Sequence, residues 1–192
     1  MLETSARGYA SRTEIWGIML TDFYISFSAI CFTLLGLWLV VVQQRYREWA
    51  GDSALIRRSY GVALHFSLPG IMTLLALVDP ESPALWRTSY AIVALGGLLV
   101  VATVRGALPG PMGKAAYIAT IVLYAVVGIV AIVPHLLRDI GITAAPVRVE
   151  AVLLSVLVFL GVNVAWLLLF EAVTPDTPDT PDTPDTPVAA VR

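Results

Sequence analysis

The amino-acid sequence predicts an all-α polytopic membrane protein, a compact bundle of five transmembrane helices with a disordered C-terminal tail. Hydrophobic residues make up 58% of the 192 residues and charged residues only 14%. The mean hydropathy of +0.82 is too high for a soluble domain of this size. Five apolar stretches follow one another with almost no ionisable residue in their middles, and short polar joints separate them.

Each stretch is long enough to cross a bilayer. A helix rises about 1.5 Å per residue, so roughly 20 residues cover a hydrocarbon core of ~30 Å. Strands of a membrane barrel would be about half as long and would alternate apolar with polar residues, which these stretches do not. Short joints favour antiparallel neighbours in a single bundle over 23–172, with no soluble domain. The predicted spans are 23–42, 60–78, 85–104, 115–137 and 149–170.

The two ends of the chain differ from the bundle in composition. Residues 1–22 are predicted to form an interfacial segment, or to extend the first helix by a turn or two from about residue 15. Their apolar run is too short for a signal peptide. Residues 173–192 carry a Thr-Pro-Asp repeat, in which proline removes backbone donors and aspartates repel one another. A disordered tail is expected there, and a docking peptide or phosphorylated switch is the alternative.

The first joint, residues 43–59, determines the predicted orientation. It carries four arginines in a short stretch, and positive residues favour the cytoplasmic side of a membrane. We therefore expect a cell-membrane protein with its N-terminus outside and its C-terminus in the cytoplasm. The arginines are also candidate contacts for anionic lipid headgroups, at ~1 kcal/mol per charge, although an ordinary topogenic signal is the simpler explanation. No nucleic-acid partner is expected. The four arginines of this joint are Arg45, Arg47, Arg57 and Arg58.

The first span carries small and polar residues on one helix face. Asp22, Ser26, Ala29, Thr33 and Gly36 follow one another at spacings of three or four residues, which places them on the same side. Small residues allow two helices to approach closely, and hydroxyl groups bond across such an interface. We expect helix packing at this face, and the lining of a pore or cavity is the alternative.

The fourth and fifth spans carry comparable polar positions. The candidate face of the fourth span comprises Tyr117, Thr120 and Tyr124, with the same two interpretations. Asn163 lies near the bilayer midplane in the fifth span. Because lipid offers an amide no hydrogen-bond partner, Asn163 is expected to point inward and to bond to another helix.

The second span contains Pro69 followed by Gly70 near its centre. Proline removes one helical hydrogen bond and clashes with the preceding turn, so a kink is predicted there. Broken helices mark binding sites in transporters, but they usually come in pairs related by an internal repeat. The other spans lack a matching break.

The sequence offers no catalytic, cofactor or metal site. Antiparallel helices would place His65 and His135 at opposite sides of the membrane, so they are not expected to share a haem or a zinc ion. His65 is instead expected to be a hydrogen-bonded interface residue. The HExxH, GxSxG and nucleotide-binding glycine patterns are missing. Asp22 and Glu150 lie near span ends, which argues against an ion-coupled pump.

These observations favour a non-catalytic role. We expect an accessory or oligomerising subunit whose partners are the lipid bilayer and either further copies of this chain or another membrane subunit. The alternative is a small channel or uncoupled carrier with a lumen lined by the polar faces of the first and fourth spans. A membrane enzyme comes third. The first two interpretations differ in whether the Asp22–Gly36 face contacts a helix or opens to a water-filled cavity.

Overall fold

The computed structural model describes residues 2–79, 82–103 and 110–171, with side chains from residue 17 onward except at 103 and 171. The predicted repeat tail, 173–192, lies outside the described residues, as does most of the joint between the third and fourth spans. All of the secondary structure in the described ranges is helical. The helices are α1 (Leu2–Trp49), α2 (Ser53–Val78), α3 (Pro83–Thr103), α4 (Gly110–Ile132), α5 (Leu136–Asp139) and α6 (Pro146–Glu171).

Five of these helices are long and apolar enough to cross a membrane. This confirms the prediction of an all-α chain with five segments able to span a bilayer, and it is compatible with a multi-pass membrane protein. The segment 1–22, predicted to lie at the interface, is helical from Leu2 and continuous with the first span. The backbone therefore passes residue 22 without a break. The segments able to cross the membrane are Gly17–Trp49, Ser53–Val78, Pro83–Ala102, Gly110–Ile132 and Pro146–Phe170.

Four of the spanning helices form a closed ring. Helix α2 packs on α3, α3 on α4, α4 on α6, and α6 returns to α2. Helix α1 packs against α2 on the outside of this ring and makes only slight contact with α6. Trp38, near the end of α1, donates a hydrogen bond of 3.0 Å to the carbonyl of Ser59, near the start of α2, as expected for an antiparallel pair.

The local sequence explains where the helices begin and end. Asp52 caps α2, since its carboxylate accepts hydrogen bonds from two backbone amides of the first turn at 2.7 and 3.3 Å. Pro83 and Pro146 begin α3 and α6, where the missing N–H of proline costs no helical bond. The helix at the predicted span 115–137 lies five residues earlier in the chain, at Gly110–Ile132. It ends there because Pro134 cannot continue it, and α5 adds a separate turn afterwards.

Two glycines allow large polar side chains to enter the ring. A methyl group placed on Gly97 would lie 2.6 Å from the ring of Tyr124, and one placed on Gly161 would lie 2.5 Å from Cβ of His65. Both distances are shorter than carbon atoms tolerate, and protein interiors have little spare volume to absorb a new group. The two glycines therefore set the spacing of α3 from α4 and of α2 from α6.

Gly97→Ala is expected to destabilise the protein by about 1–3 kcal/mol, because the new methyl group overlaps the buried ring of Tyr124. Gly96→Ala is the matched control, since nothing lies within 4 Å of that position and alanine favours a helix. Equilibrium unfolding by sodium dodecyl sulfate in mixed micelles measures both variants. Equal losses at the two positions would contradict the role assigned to Gly97.

Candidate functional site

The polar stripe predicted on the first span lies on the outside of the bundle. Asp22, Ser26, Ala29, Thr33 and Gly36 are all exposed. No neighbouring atom lies within 4 Å of the position that a Cβ on Gly36 would take, and the Thr33 hydroxyl donates to the carbonyl of Ala29 on its own helix at 2.8 Å. This stripe is therefore an uncovered face of α1 in the part of the chain that the structure describes.

The stripe predicted on the fourth span has the opposite position. Thr120 and Tyr124 are buried in the ring, and Tyr117 is half-buried. Helix α1 packs on α2, whereas α4 packs on α3 and α6. The two candidate faces do not come together, so they line no common lumen among the described residues.

One hydrogen bond crosses the ring from α2 to α4 and confirms His65 as an interface residue. Its Nε2 lies 3.1 Å from Oγ1 of Thr120, and its Nδ1 lies 2.8 Å from the carbonyl oxygen of Gly61. A carbonyl can only accept, so Nδ1 carries a proton. The Thr120 hydroxyl also lies 2.8 Å from the carbonyl of Ala116, so its single proton serves either Ala116 or His65.

A cavity of about 40 Å³ lies beside this hydrogen bond, between α2, α3 and α4. Arg58, His65, Thr120 and Tyr124 border it, and most of the other lining side chains are apolar. The buried Tyr124 hydroxyl has no hydrogen-bond partner among the described residues. The cavity has room for water, but it is far smaller than the ~300 Å³ or more of common small-molecule pockets.

The prediction that Asn163 points inward is wrong. The residue is exposed, and its Nδ2 donates a 2.7 Å hydrogen bond to the carbonyl of Phe159, one turn earlier on α6. Among the described residues, no group on another helix bonds to it. The reason is helical register: Val164 lies on the buried face of α6, and Asn163 precedes it by one residue, about 100° around the helix.

The four arginines near the turn between α1 and α2 have different surroundings. Arg47 and Arg57 are exposed, whereas Arg45 and Arg58 are half-buried. Arg45 pairs with Glu48 on its own helix, with 2.8 Å between Nη1 and Oε2. Arg58 borders the cavity described above. Two of the candidate lipid contacts thus face outward, and one reaches into the bundle.

Helix α2 runs through Pro69 as one element. The hydroxyl of Thr73 lies 3.1 Å from the carbonyl of Pro69 and 2.9 Å from that of Gly70, so it supports the turn that follows the proline. Gly70 is buried against Cys31 and Phe32, which brings α1 close to α2. The kink itself stays a prediction.

Glu150 is a buried carboxyl group that its position near the end of a span does not predict. It lies near the start of α6, but it is 0% exposed and neither carboxylate oxygen has a hydrogen-bond partner in the described chain. The sequence contained a signal, because the residues on the buried face of α6 recur every three or four positions and Glu150 is one of them. This face comprises Glu150, Leu154, Leu157, Gly161, Val164 and Leu168.

Comparison of the chain with protein-family models, curated proteins and solved structures finds no match. Function is therefore inferred from the chain's own residues. The features that bear on it are the uncovered face of α1, the outward Asn163, the hydrogen bond between His65 and Thr120, and the buried Glu150.

Thr120→Val is expected to destabilise the protein by about 1 kcal/mol, because His65 loses its partner across the ring while the shape of the side chain is kept. Thr33→Val is the matched control, since Thr33 is exposed and its hydroxyl bonds within its own helix. Its effect is expected to stay within about 0.5 kcal/mol. Unfolding in mixed micelles measures the free energy of unfolding of both variants. Equal values for Thr120→Val and Thr33→Val would show that the hydrogen bond to His65 does not stabilise the bundle.

Proposed function

We propose that the chain is a non-catalytic, self-associating subunit of a membrane assembly in the cell membrane. The observation that carries this proposal is Asn163, an amide within a membrane-spanning segment that faces outward. Its hydrogen bond stays inside α6. An asparagine side chain offers two donors and an acceptor, and the hydrocarbon interior of a bilayer offers it no partner. A contact with another protein chain supplies those partners.

The surface around Asn163 carries both a groove and protruding aromatic side chains. Phe159 and Trp166 protrude on either side of it, at 69% and 64% exposure. An open groove of about 480 Å³ runs between α4 and α6, and the small side chains of Ala115 and Ala119 form part of its wall. A second copy of the chain supplies aromatic side chains to fill the groove and an amide to pair with the first. This match supports a second copy over an unrelated subunit.

The uncovered stripe of α1 supports the same role. Ala29, Thr33 and Gly36 are the small residues typical of faces at which membrane helices approach one another closely. The alternative function, a channel or uncoupled carrier, has less support. Its lumen would need the polar faces of α1 and α4 together, but one face is exposed and the other is buried in the ring.

The proposed orientation has the N-terminus outside and the C-terminus in the cytoplasm. Its support is the excess of positive charge at the turn between α1 and α2, where Arg47 and Arg57 are exposed. Tyr46 and Tyr60 are exposed beside the same turn, as is usual for aromatic residues at a membrane interface. The exposed arginines are also the ones available to anionic headgroups.

Asn163→Leu is expected to weaken self-association by about 3- to 30-fold, the equivalent of ~0.6–2 kcal/mol for one interhelical amide contact. Energy transfer between two labelled populations of the full chain, reconstituted in lipid vesicles over a range of protein densities, measures the association constant. Gln44→Leu is the control, because it removes an exposed amide from the end of α1. A chain that stays monomeric at every density would refute self-association. If a different protein co-purifies with the wild type from native membranes and is absent with Asn163→Leu, the assembly is a hetero-complex.

The orientation predicts which of two engineered cysteines reacts from outside. In a Cys31→Ser background, Ser53→Cys at the arginine-rich turn should resist a membrane-impermeant maleimide added to intact cells. Ser82→Cys, which lies between α2 and α3, should react. Permeabilised cells provide the control, since both positions should then be labelled. The reverse pattern in intact cells would invert the proposed topology.

A further inference from the structure

Three oxygen-bearing side chains meet at the end of the bundle opposite the arginine-rich turn. They are Glu150 on α6, Tyr24 on α1 and Tyr90 on α3, and together they form what we call the carboxyl–phenol cluster. All three are buried, and Glu150 and Tyr90 are fully so. The Tyr24 hydroxyl donates a 3.1 Å hydrogen bond to the carbonyl of Val147 in the first turn of α6. Tyr24 and Tyr90 lie next to each other, and both are near enough to Glu150 for its charge to act on them.

The carboxyl group of Glu150 has two buried oxygen atoms, and neither has a hydrogen-bond partner in the described chain. The Tyr90 hydroxyl is buried as well, and it interacts with the Tyr24 hydroxyl beside it. Buried polar groups in native proteins are normally paired, so a carboxyl group with both oxygens unpaired calls for a ligand that the chain does not itself provide. This is a stronger indication than the single unpaired hydroxyl of Tyr124, because both atoms belong to one ionisable group.

No basic side chain among the described residues donates a hydrogen bond to the Glu150 carboxyl group. Arg87, one turn before Tyr90 on α3, directs its guanidinium to the carbonyls of Ala131 and Ile132 at 2.9 Å. Arg148, on the same helix as Glu150, is exposed. An unpaired carboxylate inside a bundle in the bilayer is too costly to persist, so Glu150 has to share its site with a positive charge.

We propose that the carboxyl–phenol cluster is a binding site for one monovalent cation, a proton or Na⁺, held by Glu150 with the two phenol oxygens beside it. A single carboxylate matches a single positive charge, and in the described chain no three His, Cys, Asp or Glu residues lie close enough to hold a metal ion. A carboxylate oxygen accepts a proton, and carboxylate and phenol oxygens are ligands for a hard cation such as Na⁺. This site is independent of the proposed self-association.

The position of Glu150 along α6 defines how the cation enters. Glu150 lies about one turn after Pro146, where α6 begins, so the cation reaches it from the membrane face opposite the arginine-rich turn. On the other side, the interval from 150 to 161, where Gly161 abuts His65, covers about 16 Å of helix. Leu154, Leu157 and Val158 fill that interval as buried apolar residues. These apolar side chains offer no polar path from Glu150 towards His65, so the proposed site binds a cation and does not conduct it.

Carbodiimide labelling of the full chain in lipid vesicles tests the proposal, because dicyclohexylcarbodiimide adds to protonated carboxyl groups in apolar surroundings. We expect an adduct on Glu150 that decreases as the pH is raised, and none at this position in Glu150→Gln. Glu48→Gln should leave the adduct unchanged, since Glu48 is exposed and paired with Arg45. Protection by NaCl, and not by choline chloride at equal concentration, identifies Na⁺; equal labelling in both salts identifies the proton.

Infrared difference spectra of the wild type against Glu150→Gln provide the deciding measurement if the reagent cannot reach the site. A protonated-carboxyl band assigned to Glu150, or a carboxylate band whose position depends on Na⁺, supports the cation site. Tyr90→Phe should shift that band, whereas Tyr117→Phe on α4 should not. A carboxylate band that persists from acid to alkaline pH without Na⁺, together with no adduct, would overturn the proposal.

Discussion

The hydrogen bond between His65 and Thr120 is the contact around which the ring of four helices is arranged. It joins α2 to α4 across the centre of the ring. His65 reaches that position because Gly161 leaves room for it, and Tyr124 packs beside it because Gly97 does the same. Helices in lipid gain little from burying apolar surface against one another, so close approach and interhelical polar bonds decide how they pack. The apolar residues of the core fill the space that this arrangement leaves.

Hydropathy was sufficient to predict the five spans, because crossing a bilayer demands length and apolar composition and little else. It was less informative about their ends. Composition extends the fourth span over 115–137, but Pro134 ends the helix although Val133, Leu136 and Leu137 near it are apolar. Helix α1 begins at Leu2 and runs through a polar segment before the first span. Hydropathy did not predict this extension, because it does not report where a backbone ceases to be helical. Composition therefore predicts membrane crossing, and local backbone chemistry determines the boundaries.

The candidate site was harder to predict because polarity does not state in which direction a side chain points. The hydroxyls of Thr33 and Thr120 both lie 2.8 Å from the carbonyl oxygen four residues earlier, yet one side chain is exposed and the other is buried. A short polar side chain can use its own helix for part of its hydrogen bonding, as Asn163 does with one amide proton. That bond lowers the cost of facing outward and leaves one donor and the acceptor of the amide without a partner in α6. The depth of Glu150 in the span predicts a residue near the membrane surface. Its position among the buried residues of α6, which recur every three or four positions, is the property that predicts burial.

The order of the helices along the chain has a consequence for biogenesis. Helices α1 and α2 pair with each other, and so do α3 and α4, so both hairpins can form from neighbours in sequence as the chain is synthesised. Helix α6 packs only on helices that precede it, and it completes the ring. Until it enters the bilayer, the face of α2 around His65 lacks the helix that covers it, and Tyr24 lacks the carbonyl of Val147. The arrival of α6 is therefore the step at which the ring can close and the buried polar groups of the earlier helices gain their cover.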